Sequence, residues 1–122
     1  MNIIKTEKAP AAVGPYSQAI LIGNFLFTCG QLGIDPVTGN LSEGIEKQTE
    51  QAIKNIGAIL AAAEFSYENV VKTTCFLKDI GDFSVFNEIY ARYFISNPAR
   101  SCVEVSALPK GALVEIEVIA AK

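Results

Sequence analysis

The chain contains no histidine. Ser-His-Asp and Cys-His nucleophilic machinery, HExxH sites and His-ligated metals are therefore excluded. Any acid–base chemistry has to come from Glu, Asp, Tyr, Cys, Lys or bound water. Cysteine is scarce: Cys29, Cys75 and Cys102 are an odd number at wide spacing. They form neither a disulfide framework nor a zinc motif, and each reads as a small buried hydrophobe. The ten basic residues are scattered singly and the formal net charge is −3. Phosphate binding needs clustered Lys and Arg, so nucleic acid is a disfavoured partner. No apolar run approaches the roughly 20 residues that span a bilayer. Met1 to Pro10 carries Lys5, Glu7 and Lys8 without an apolar stretch. It does not read as a signal peptide, and the expected compartment is the cytosol with no membrane partner. Repeats, low-complexity tracts and long linkers are also missing.

What is present is 122 residues, half of them hydrophobic. That suits one domain, spanning 1–122, with a core that needs no staples. Ser17 to Ile22 and Phe25 to Cys29 read as strands around a Gly23-Asn24 hairpin turn. Asp35-Pro36 with Thr38-Gly39-Asn40 marks another turn. From Ser42 to Glu64 the pattern is helical, with Ile45, Ala52, Ile56, Ile59, Leu60 and Ala63 on one stripe. Ser42 is the candidate N-cap, followed by Glu43 where the helix dipole favours negative charge. Gly57 within this helix costs propensity and points to a close approach.

Val70 to Leu77 is a β-branched strand. Asp79 and Asp82 are cap candidates for a second helix whose face carries Phe83, Phe86, Ile89, Tyr90, Tyr93 and Phe94. Helical spacing of that kind reads as core packing rather than a ligand box. Arg100 to Ala107 and Ala112 to Ala121 read as closing strands, with Pro109-Lys110-Gly111 turning between them. In the last strand Val114, Ile116 and Val118 share one face, and Leu113, Glu115, Glu117 and Ile119 the other.

The expected order is β-β-α-β-α-β-β, an α+β domain with a possible extra edge strand at the N-terminus. Two helices cover one face of such a sheet. The other face, with Glu115 and Glu117 mixed with Leu113 and Ile119, is expected to carry Arg100, Cys102, Glu104 and Ser106 of the penultimate strand as well. A mixed open face implies a homo-oligomer with pockets at its seams.

Four places offer chemistry. Arg100 can hold a carboxylate through two parallel hydrogen bonds, although a surface ion pair is equally open from sequence. Cys102, two residues on, points the same way; its backbone could hold a ligand atom, but no histidine is there to activate its thiol. Glu115 can position water and shuttle protons if a dry seam raises its pKa, and otherwise is a solvated strand residue. Tyr16, after Gly14-Pro15, is a pocket wall or ordinary interface packing.

Taken in order, the motifs are specific. The stretches 9–19 (with Gly14-Pro15-Tyr16-Ser17-Gln18), Cys29-Gly30-Gln31, 71–79, Phe86-Asn87-Glu88-Ile89-Tyr90, Pro98-Ala99-Arg100-Ser101-Cys102-Val103-Glu104-Val105 and 108–117 resemble the RidA/YjgF family over essentially the whole chain. The resemblance implies a chorismate-mutase-like α+β fold: a mixed sheet with two helices on one face. It also implies a homotrimer with a central barrel and three intersubunit clefts. The implied activity is hydrolysis of 2-imino or enamino acids, such as 2-iminobutanoate and 2-iminopropanoate, to 2-oxo acids and ammonia, with no cofactor and no metal. By the same resemblance Arg100 grips the substrate carboxylate, and Glu115 holds the attacking water and protonates the leaving amine. Tyr16 lines the pocket, and the backbone at Gly30 and Cys102 contacts ligand. Cys29 stands where many members have serine, so its thiol would bond substrate weakly. The segment 94–98 before Arg100 is shorter than usual and borders the implied cleft. Other readings are a chorismate-mutase-type enzyme, a translation inhibitor with ribonuclease activity, and a 2-oxo acid binder without turnover.

Overall fold

The computed structural model describes residues 1–122. Its strands are β1 (Asn2–Ile4), β2 (Ala19–Ile22), β3 (Phe25–Thr28), β4 (Gln31–Leu32), β5 (Val70–Leu77), β6 (Ala99–Glu104) and β7 (Val114–Ala121). Its helices are α1 (Gly44–Ala62) and α2 (Phe83–Tyr93). The sheet order is β1-β2-β3-β7-β5-β6, with the two-residue β4 also on β7. All pairings are antiparallel except β5 with β6, which is parallel. The domain is thus α+β with one mixed sheet and two helices. No helix is long and apolar enough to cross a membrane.

Period 2 governs β7 as expected. Val114, Ile116, Val118 and Ala120 are buried, and the residues between them only partly so. The buried set meets Ala52, Ile53, Ile56, Ile59 and Leu60 of α1 and Phe86, Ile89 and Tyr90 of α2 in one core. Truncating one of these isoleucines to alanine costs about 2–5 kcal/mol. Gly57 does mark a close approach: a Cβ there would lie 2.2 Å from the Tyr67 hydroxyl, which donates to the Ile53 carbonyl at 2.8 Å.

Ser42 is not the N-cap of α1. Glu43 takes that position, without a side-chain cap bond, and the Ser42 N–H is engaged outside the helix by the Gly33 carbonyl at 2.9 Å. Of the two aspartates, Asp79 caps the short turn before α2 through Gly81 N–H, and Asp82 holds the N-cap position of α2 without a side-chain bond. The closing strands are not neighbours: β5 lies between β6 and β7.

A larger correction concerns β6. Its parallel register sets Arg100 beside Thr73 and Cys102 beside Cys75, and Thr73 and Cys75 face the core with Val118 and Ile116. Arg100 and Cys102 therefore lie on the helix side. The open face instead receives Ser101 and Val103, beside Thr74 and Phe76, in line with Glu117 and Glu115. Toward the other edge, Ile3, Ile20, Phe27 and Ile119 form an apolar row across four strands, which ends at Lys72 on β5. Ile3, Ile22, Phe25 and Phe27 are exposed on that face. A contiguous apolar patch of this kind marks a binding surface.

Candidate active site

The Glu115 side of the site begins with a break in a strand. β3 ends at Thr28 and β4 starts at Gln31, so Cys29 and Gly30 leave the ladder against β7. Thr28 Oγ1 accepts the Val118 N–H at 3.0 Å, and Cys29 N–H donates to the Gln18 carbonyl at 2.8 Å. Gly30 is thereby laid against Glu115. A Cβ on residue 30 would lie 2.7 Å from the carboxyl carbon of Glu115. A side chain at this position would displace the Glu115 carboxyl group, whereas the backbone angle itself admits any residue.

Tyr16, Gly30 and Glu115 share one cavity of about 280 Å³, with Pro10, Asp35 and Lys110 at its margins. Tyr16 is half exposed, and its hydroxyl accepts the Val13 N–H at 3.4 Å. The loop before it is fixed by Gln18. Buried Gln18 accepts the Thr6 N–H and donates to the Thr6 and Pro10 carbonyls at 2.7–3.0 Å.

Burial pushes the Glu115 carboxyl above the usual carboxylate range, and the negative charge of Glu117 adds to this. Both carboxylates lie on the open face, two residues apart on β7. A raised pKa suits a group that both takes and returns a proton near neutrality. Cys29 lies beside them. Burial pushes its thiol up, the amide of Gln31 donating to Sγ at 3.2 Å opposes this, and Glu115 pushes it further up. The thiol is therefore protonated, and a weak donor rather than a nucleophile.

Arg100 occupies a second cavity, of about 680 Å³, with Ser84, Asn87 and Asn97. Nη1 donates to Asn87 Oδ1 at 2.6 Å. The guanidinium lies 4.8 Å from the Tyr90 ring centroid and 5.4 Å from that of Phe83. No carboxylate of the chain pairs with it: the ion pairs are Lys54 with Glu50 and Arg92 with Glu88. The surface ion pair that sequence left open is not formed. Cys102, half-buried on the same side, has its thiol pushed up by burial, with Arg100 acting against this.

The sequence-derived site residues thus fall into two groups. Tyr16, Cys29, Gly30 and Glu115 come together, and Arg100 and Cys102 come together. The two groups lie on opposite faces of the sheet. Asn87 and Lys110 were not singled out from sequence. Asn87 follows no periodic pattern, and Lys110 reaches its place through a left-handed turn conformation (φ 59°) that proline and glycine on either side disguise as a plain loop. No group of three or more His, Cys, Asp or Glu side chains gathers to hold a metal ion.

Comparison with known proteins gives consistent answers. The family model described as endoribonuclease L-PSP matches residues 6–122. A RutC family protein of Pyrococcus horikoshii is 57% identical over 123 residues, covering 99% of this chain and 98% of the relative. The human protein named 2-iminobutanoate/2-iminopropanoate deaminase is 52% identical over 121 residues, covering 98% of this chain and 88% of the relative. The solved structure of E. coli TdcF with bound serine superposes with a TM-score of 0.97 at 39% identity, covering 100% of this chain and 99% of that one. A curated deaminase at this identity supports an imine deaminase role for the family. With its sheet order, its split site and a family match over all but the first five residues, the chain belongs to the endoribonuclease L-PSP family, also called YjgF/RidA.

Proposed function

We propose that this chain is a 2-iminobutanoate/2-iminopropanoate deaminase. It hydrolyses reactive 2-imino and enamino acids to 2-oxo acids and ammonia. It works as a homotrimer with a central barrel, in the chorismate-mutase-like arrangement, with its sites in clefts between subunits. The observation that carries this reading is the placement of Arg100 and Glu115. A guanidinium without an acidic partner and a carboxyl group of raised pKa lie on opposite faces of one sheet. One chain does not present both to one small molecule, so a site that uses both needs a second copy whose β6 edge brings its Arg100 beside Glu115 of the first.

In this mechanism Arg100 takes the substrate carboxylate through two parallel hydrogen bonds. Water, held by Glu115 against the bare backbone at Gly30, attacks the imine carbon. Glu115 takes the proton from that water and returns it to nitrogen. Glu115 then carries the hydroxyl proton of the resulting carbinolamine to nitrogen as well, and its collapse forms the C=O bond, breaks the C–N bond and releases ammonia. No electrons enter or leave, so positioning and one acid–base group suffice, with no cofactor or metal. Tyr16 walls the pocket, the backbone at Cys102 contacts the ligand, and the Cys29 thiol offers it a weak donor.

The test is a competition assay. Threonine dehydratase generates 2-iminobutanoate while semicarbazide traps it. Wild-type protein should lower the trapped signal and Arg100→Ala should not, with the oligomer retained in size-exclusion chromatography. Loss of the oligomer would move Arg100 from binding to assembly. Glu115→Ala should still bind 2-oxobutanoate but turn over at least about 100-fold more slowly, the usual scale of a lost acid–base group. No effect of wild-type protein on the trapped signal would leave ligand binding without turnover. An RNA-directed activity, which the family description suggests, would require salt-sensitive RNA binding; the net charge of −3 opposes it.

A further inference from the structure

Arg100 has no acidic partner, yet its guanidinium is not loose. Asn87 takes one N–H, and the rings of Tyr90 and Phe83 lie 4.8 and 5.4 Å from its central carbon. The Tyr90 ring is itself immobilised. It packs against Phe94 at 4.5 Å and Phe86 at 5.6 Å between centroids. Its hydroxyl shares a 2.7 Å hydrogen bond with Thr73 Oγ1, and Thr73 is fully buried. Thr73 is also the in-register neighbour of Arg100 across the β5–β6 ladder. The backbone pairing that places the arginine therefore also places the hydroxyl that pins the ring beneath it.

Core filling alone does not account for this arrangement. Phenylalanine would fill the same volume without a hydroxyl, and leucine or valine could replace threonine. Two buried hydroxyls cost desolvation that their mutual bond offsets, helped weakly by the Cys75 thiol donating to Thr73 Oγ1 at 3.9 Å. What the pair adds is a fixed ring plane under a cation.

We propose that Tyr90, pinned through its hydroxyl by Thr73, is a positioning residue for the carboxylate-binding guanidinium of Arg100. The proposal rests on the carboxylate role given to Arg100 above. The ring face attracts the cation, so the planar fork lies flat and its edge donors point outward. An arginine held this way loses less side-chain freedom when the ligand arrives. The substrate carboxylate is unchanged between ground state and transition state. Losing the platform therefore weakens binding and leaves the chemical step alone.

The experiment measures 2-oxobutanoate affinity by isothermal titration calorimetry and maximal imine turnover in the competition assay. The proteins are wild type, Arg100→Ala, Tyr90→Phe, Tyr90→Leu and Phe83→Leu. Tyr90→Leu should raise Kd about tenfold while maximal turnover stays within about twofold. Tyr90→Phe keeps the ring and should raise Kd only about threefold, a partial rescue that a purely structural role would not produce. If Tyr90→Leu does not fold, Tyr90→Phe and Phe83→Leu decide, each expected near threefold. Wild-type affinity in the ring variants, with binding lost in Arg100→Ala, would overturn the positioning role and keep the carboxylate role. Unchanged affinity in Arg100→Ala would overturn both. A fall in turnover without a change in Kd would also overturn the positioning role.

Discussion

Gly30 presents bare backbone to the carboxyl group of Glu115, so closely that a Cβ would lie 2.7 Å from the carboxyl carbon and 2.8 Å from Oε2. The first prediction follows from this contact. Gly30 is not among the residues with positive φ, so alanine is allowed by the backbone at position 30 and acts only on its neighbour. That neighbour is the far end of a flexible side chain, which swings aside at little cost. Gly30→Ala should therefore change stability by less than about 1 kcal/mol, within the range of mild substitutions. Imine turnover should fall about tenfold or more, since ten in rate is only about 1.4 kcal/mol of transition-state stabilisation. The competition assay and a urea titration on the same preparation separate the two effects. A matching loss of stability would show that Gly30 serves folding instead.

Glu117 supplies the second prediction. Burial is the main cause of the raised Glu115 pKa, and the charge of Glu117 is the second. Turnover that needs the Glu115 carboxylate should rise with pH along an acid limb lying above the ordinary carboxylate range. Glu117→Gln removes the like charge, so the limb should shift to lower pH without disappearing. The linkage to stability has a definite sign. A carboxyl group with a raised folded pKa favours the fold fully below its unfolded pKa, and this contribution is lost as pH rises through the folded pKa. Glu115→Gln should thus stabilise the protein at pH 7, and this advantage should vanish in acid. Thermal melts of both proteins from pH 4 to pH 8 measure it.

Much of this architecture was readable from residue order. The Gly23-Asn24 hairpin, α1, α2, β5 and the alternation of β7 all carry periodic signals several residues long. β4 was not readable, because two residues hold no period. The face of Arg100 was misread for another reason. Alternation along β6 separates two sets of side chains but does not say which set meets the core, and β6 has exposed or half-buried residues throughout. Only the parallel register with β5 decides it. Buried polar clamps were hidden too. Asn55 donates to the Leu32 and Ile34 carbonyls at 3.1 and 2.8 Å, but its polar side chain looks like a surface residue in an amphipathic pattern. Tyr16, Gly30 and Glu115 were gathered through the family resemblance, since they lie far apart in the chain.

Gly33 gives a contrast to Gly30. A Cβ there would lie 2.5 Å from the Cα and the carbonyl oxygen of Gln48. Both are backbone atoms, and Gln48 sits in α1. The helix cannot yield as a carboxyl group can, particularly since the Gln48 side chain also accepts the Leu113 N–H at 2.8 Å. Gly33→Ala should destabilise the protein by about 1–3 kcal/mol, the cost of overpacking. In urea the midpoint should fall with little change in slope, as the surface exposed on unfolding stays the same. A near-neutral result would mean that α1 tolerates a shift away from β4.

The end of α1 offers a route to greater stability. Phe65 N–H bonds to the Leu60 carbonyl at 2.8 Å and Glu64 N–H to the Ala61 carbonyl at 2.9 Å. These are the paired bonds of a Schellman motif, and Phe65 and Leu60 both belong to the core. The motif requires a left-handed residue, and Glu64 fills that place at φ 63°. Glutamate there bears a steric cost that glycine avoids. Its carbonyl, not its side chain, accepts the Lys122 ammonium, so that contact survives substitution. Glu64→Gly should therefore stabilise the protein, by about 0.5–1 kcal/mol after the greater freedom of glycine in the unfolded chain is counted. The site lies at the far end of α1 from β4, so imine turnover should not change. A lower melting temperature would mean that the Glu64 side chain contributes more than its strained backbone costs.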